Sequence, residues 1–148
     1  MKRTQRLEMV QRNVHELERR RAQTLAASER RVSECEGRLT ELETYHQSYV
    51  SDFAARAGLG IGAAGLRDFQ TFLARLAEAV KQQVQIVARA RTERDAQLKS
   101  WQSAAQRAEA VARVVKRWQS EEQRRLDRNE QSESDERSQR TVARGLGT

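Results

Sequence analysis

No proline occurs in this 148-residue chain, and four of its seven glycines, Gly58, Gly60, Gly62 and Gly65, fall inside one eight-residue window. Proteins ordinarily hold roughly 5% proline and 7% glycine, so nothing before Gly58 or after Gly65 interrupts a helix. That window is the one place where the chain can turn. Aromatic residues are scarce as well, at 5%, and 37% apolar against 33% charged residues gives a mean hydropathy of −0.89. This is too little apolar matter for a compact core, and the chain must bury a narrow stripe instead. The single cysteine, Cys35, excludes an intramolecular disulfide. The longest stretch without a charge, residues 57–66, is far short of the ~20 residues that span a bilayer, so no direct membrane insertion is expected. The opening run Met1-Lys2-Arg3-Thr4-Gln5-Arg6 lacks the apolar segment of a secretory signal, which reads as a cytoplasmic protein.

Charge is positive but spread. The formal +7 divides into about +2, +3 and +2 over residues 1–48, 49–112 and 113–148. No basic patch stands out along the sequence, so the high isoelectric point is weak evidence for nucleic acid. Arginine supplies 24 of the 28 basic residues.

What is present is periodicity. Before the window, Leu7, Val10, Val14, Leu17, Leu25, Val32, Cys35, Leu39, Leu42, Tyr49 and Phe53 recur at steps of three and four, with Arg21, Ser28 and His46 filling seam positions. That is the mark of a coiled coil, and two successive steps of four at Leu17, Arg21 and Leu25 form a stutter. After it, Leu66, Phe69, Leu73, Leu76, Val80, Val84 and Val87 begin a second seam, which weakens at Arg91 and Arg94 and resumes at Leu98, Trp101, Ala105, Ala108, Val111 and Val115. The expectation is an all-α, two-helix antiparallel coiled-coil hairpin forming a single domain over residues 1–148. Its first helix covers about 3–56, the Gly-rich loop 57–66, the second helix about 67–140, and a frayed tail 141–148. In this pairing Val115 is only partly covered, and Trp118 and Leu126 continue the stripe without an intramolecular partner.

Catalytic chemistry finds no foothold. Gly60-Ile61-Gly62-Ala63-Ala64-Gly65 spells the dinucleotide fingerprint, but that motif works only between a strand and a helix, and here a helix precedes it. There is no P-loop sequence, His15 and His46 lack metal spacing, Cys35 reads as a small seam residue, and the carboxylates lie on solvated faces. No enzyme activity, metal or cofactor is expected. The informative departures are apolar residues beside the seam: Tyr45, one turn before Tyr49, and the stripe Phe72, Leu76, Ala79, Gln83, Ile86 and Ala90. Such a stripe either faces a partner or broadens the two-helix core.

The order Tyr45-x-x-x-Tyr49, the loop at Gly60-Ile61, the run Phe69-Gln70-x-Phe72-Leu73-x-x-Leu76-x-x-Ala79-Val80 and Leu98-Lys99-x-Trp101 resemble the FliJ family of the bacterial flagellar export apparatus over nearly the whole chain. The resemblance implies a stalk similar to the central subunit of rotary ATPases, peripheral at the cytoplasmic face of the inner membrane. Its implied partners are the flagellar export ATPase, the cytoplasmic domain of the export-gate membrane protein, and export chaperones. It places gate binding at Leu42, Tyr45, Tyr49, Phe72, Leu76, Ala79, Gln83 and Arg38. It places the end carrying Val115, Trp118 and Leu126 in the ATPase ring. A virulence-system (injectisome) stalk would share the fold, and a structural or nucleic-acid-binding coiled coil is the third reading.

Overall fold

The computed structural model describes residues 2–146 and consists of two helices, α1 (Arg3–Ala57, 55 residues) and α2 (Ala63–Leu146, 84 residues), with no strand among the described residues. Arg, Glu, Gln, Ala and Leu dominate both, and these unbranched side chains lose little rotamer freedom on a helix. α1 stops where the glycines begin. Leu59 N–H donates to Arg56 O at 2.9 Å, Gly60 N–H to Ala57 O at 3.4 Å, and Gly60 takes a φ of +81°, a conformation that glycine adopts without steric cost. The turn is tighter than the glycine window suggested. α2 starts at Ala63, inside the expected loop, because only residues 58–62 are needed to reverse the chain. Gly65 therefore lies in α2, where a Cβ would stand 2.8 Å from Ile61 Cγ2. The tail expected to fray is helical as far as Leu146, and Gly147 and Thr148 lie outside the described residues. The dinucleotide reading of the window fails on its context, since Gly60 and Gly62 join two helices.

Packing divides the chain into two compact units, residues 19–103 and residues 1–18 with 104–148. The division on α1 falls in the stutter between Leu17 and Leu25.

In the loop-bearing unit the helices run antiparallel, with Tyr49 against Phe69 and Gln83 against Cys35, the register that a turn at the glycine window imposes. The inward line of α2 is Phe69, Leu73, Leu76, Val80, Gln83, Val87, Ala90, Arg94, Gln97 and Trp101, all buried or half-buried. Its steps of four and three never break. This corrects the seam read from apolarity. Val84 is 48% exposed whereas its neighbour Gln83 is 9% exposed, and Leu66, Arg91 and Leu98 also face solvent. A strict heptad counted from Phe69 places position 83 inward whatever residue occupies it, and the valine one step on is rotated about 100° away. On α1, Arg21 is exposed and Ala22 half-buried in its stead.

The terminal unit buries Val14, Ala104, Ala108 and Val115. Val115, expected to be partly covered, is only 5% exposed. Trp118, expected to lack a partner, is half-buried with the Arg3 guanidinium 5.8 Å from its ring centroid, because α1 begins at Arg3 and so reaches the level of Trp118. Val10 is exposed and Gln11 takes the half-buried place beside it. From Asp127 to Leu146 every side chain is exposed. No large side chain among the described residues is fully buried, so the core is one layer deep in each unit and its stability comes from many partial burials.

Candidate functional site

Both tyrosines and all three phenylalanines of the chain stand in one ladder in the loop-bearing unit. Heptad spacing brings them together: Phe53, Tyr49 and Phe69 hold inward positions, while Tyr45 and Phe72 lie beside the seam on the same edge. Phe53 meets Phe69 at a centroid separation of 4.6 Å, Tyr49 lies 4.4 Å from both Phe69 and Phe72, and Tyr45 closes the series 6.1 Å from Phe72 and 6.2 Å from Tyr49. These separations are within the range of favourable aromatic pairs. The Tyr45–Phe72 contact is edge-on at 82°, so the ladder's outer end shows ring faces and edges to solvent. Tyr45 is 52% exposed.

The eight residues named for gate binding separate into two groups. Tyr45, Phe72 and Arg38 are exposed, with Arg38 3.7 Å from Glu41 across one turn, and Leu42, Tyr49 and Ala79 are half-buried. These six can be touched from outside. Leu76 and Gln83 are buried. Gln83 Nε2 donates to the Cys35 carbonyl at 3.0 Å, joining the two helices and satisfying a polar side chain that burial would otherwise penalise. Beside it Arg91 reaches across to Glu36 Oε1 through Nε and Nη2, at 3.1 and 2.9 Å. Both groups of that pair are about half exposed, so its contribution is small. Leu76 and Gln83 thus hold the stripe in place from within, and the outward members of the set are the ones that present it. Of the stripe's remaining residues, Ile86 is half-buried and Ala90 buried, so its inner members widen the core while its outer ones face solvent.

The sequence reasoning paired Tyr45 and Tyr49 with Phe72 but left Phe53 and Phe69 as seam residues only. The signal that links all five is the antiparallel register, which puts each α1 ring level with an α2 ring.

Of the three residues named for the ATPase ring, Leu126 is exposed, Trp118 half-buried and Val115 buried. Met9, Val10 and Val114 are further exposed apolar side chains of this unit. Among the described residues, no group of three or more His, Cys, Asp and Glu side chains is placed to hold a metal ion, and no helix is long and apolar enough to cross a membrane.

The family model described as flagellar FliJ protein matches residues 2–147. Neither the curated proteins nor the solved structures contain a match to the chain.

Proposed function

The chain belongs to the FliJ family of flagellar export-related proteins, and on that premise we propose that it is a stalk of the export apparatus, with one unit devoted to each of two partners. The loop-bearing unit docks on the cytoplasmic domain of the export-gate membrane protein, and the terminal unit binds the export ATPase ring, favouring its assembly and turnover. The protein works without catalytic groups of its own, at the cytoplasmic face of the inner membrane. The flagellar description of the family favours this system over a virulence one.

The observation that carries the reading is the solvent-facing end of the aromatic ladder, Tyr45 against Phe72. Aromatic side chains supply large contact area at low cost in conformational freedom and are enriched where partners bind. An exposed ring pair held rigid by three further rings is pre-organised for that task.

The test uses the full chain, the purified gate domain and the purified ATPase. Tyr45→Ala is expected to weaken gate binding about tenfold, the effect of losing ~1.4 kcal/mol at a contact, and to leave ATPase stimulation intact. Equal loss of both activities, with helix content unchanged, would sink the assignment of one unit to each partner.

A further inference from the structure

Folding gathers charge that the sequence spreads out. Residues 2–13 and 107–117 belong to the same terminal unit. Together they hold Lys2, Arg3, Arg6, Arg12, Arg107, Arg113, Lys116 and Arg117 against only Glu8 and Glu109, a net +6 within a chain whose total is +7. Of the two carboxylates, Glu109 is engaged by Arg113 at 2.7 Å. The remainder of this unit is net −3 and residues 19–103 are net +4, so the positive charge of the terminal unit gathers in one collar.

Part of that collar shares a flank with apolar side chains. In this unit the inward residues include Leu7, Gln11 and Val14 on α1 and Ala108, Val111 and Val115 on α2. Val10 and Val114 each stand one residue before an inward position, which in an antiparallel pair is the same flank of both helices. Arg3 stands at the Trp118 ring, and counting from that pair along two antiparallel helices brings Val10 and Val114 within about one turn of each other on that flank. Both are open to solvent, Val10 at 45% and Val114 at 54%. A solvated helix flank is normally lined by charged or polar groups. A valine pair sharing its flank with Arg3, Arg6, Arg107 and Arg117, each also one residue before an inward position, is the arrangement that an apolar contact edged by carboxylates would complete.

We propose that the Val10 and Val114 flank is the docking surface for a helix of the export ATPase that bears an apolar stripe with Asp and Glu along its edges. This rests on the reading above that the terminal unit meets the ATPase, and it moves the contact from the seam residues Val115 and Trp118 to the flank beside them. A single-stranded nucleic acid would call for exposed rings on which bases stack; this flank offers branched aliphatic side chains, and the unit's one aromatic ring, Trp118, lies under Arg3.

The experiment measures binding of the full chain to the purified ATPase of the same flagellar system at low and high salt, for wild type, Val10→Ser with Val114→Ser, and Arg107→Glu with Arg117→Glu. All four positions are exposed, and circular dichroism melting checks that each variant is folded. The serine pair is expected to weaken binding at least tenfold at both salt concentrations, and the glutamate pair to weaken it more at low salt than at high. Wild-type affinity in the serine pair overturns the inference and leaves the ATPase reading standing. A wild-type chain that does not bind the ATPase overturns that reading and the inference with it. Equal affinity of the wild type for vesicles of anionic lipid or for single-stranded DNA, lost in the same variants, overturns the choice of a protein partner.

Discussion

Replacing the two tyrosines one at a time separates the ladder's architecture from its outward face. Tyr49 is half-buried and sits 4.4 Å from both Phe69 and Phe72. Truncation to alanine removes two close ring pairs, worth about 0.5–1.5 kcal/mol each beyond area, and about half of the ~1.5–3 kcal/mol that full burial of a large apolar side chain supplies. The expected cost is about 2–4.5 kcal/mol. Tyr45 is half exposed, and its nearest ring centroids are at 6.1 and 6.2 Å, so Tyr45→Ala should cost below about 1 kcal/mol. For a chain of this length about 3 °C of melting temperature corresponds to 1 kcal/mol. The melting temperature followed by circular dichroism should therefore fall by roughly 6–13 °C for Tyr49→Ala and by no more than about 3 °C for Tyr45→Ala. Tyr49→Phe, which keeps the ring, should stay within about 0.5 kcal/mol of wild type. Equal shifts for the two alanine variants would refute the ladder as the source of local stability, as would a phenylalanine variant as unstable as the alanine one. A double substitution of both tyrosines would confuse loss of a partner contact with loosening of the fold, which is why the single changes are the informative ones.

Two further outcomes follow from the packing. Gln83→Ala should lower stability by about 1–2 kcal/mol, through a lost hydrogen bond and a small void. Gln83→Leu should be close to neutral, because the Cys35 carbonyl retains its helical partner and leucine fills the site; urea denaturation giving the opposite order would show that the side chain is held for some reason other than packing. Gly37→Ala should stabilise by about 0.5–1 kcal/mol, since the helix interior there leaves the new methyl in open space. Gly60→Ala should destabilise by about 1–2 kcal/mol at a φ of +81°, and urea midpoints moving in the same direction for both would contradict the turn geometry.

The two helices and the position of the reversal were legible in the sequence because proline is absent and glycine is concentrated, and these are local signals. Seam membership was less legible. Choosing Val84 and Leu98 over Gln83 and Gln97 followed side-chain polarity, whereas the helix follows its own geometry and carries polar residues inward when the count demands it. The register at Gln83 is visible only when the steps from Phe69 are counted without regard to residue type. Loop length was overestimated for a related reason: glycine permits a turn but does not require one, and Gly65 lies in α2, where the close approach of Ile61 leaves no room for a Cβ. The basic collar was hidden for another reason. Its halves lie about 100 residues apart, so any tally along the chain averages them away, and pairing of the termini is what brings them together.

Aromatic placement also gives the molecule its own spectroscopic labels. Each packing unit contains one tryptophan, Trp101 in residues 19–103 and Trp118 in the other, while both tyrosines belong to the first. With Trp101 replaced by phenylalanine, indole emission reports on the terminal unit alone and near-ultraviolet dichroism of the tyrosines on the loop-bearing one. Unfolding of the two units, and engagement of either by a partner, can thus be followed as separate signals from one unlabelled protein.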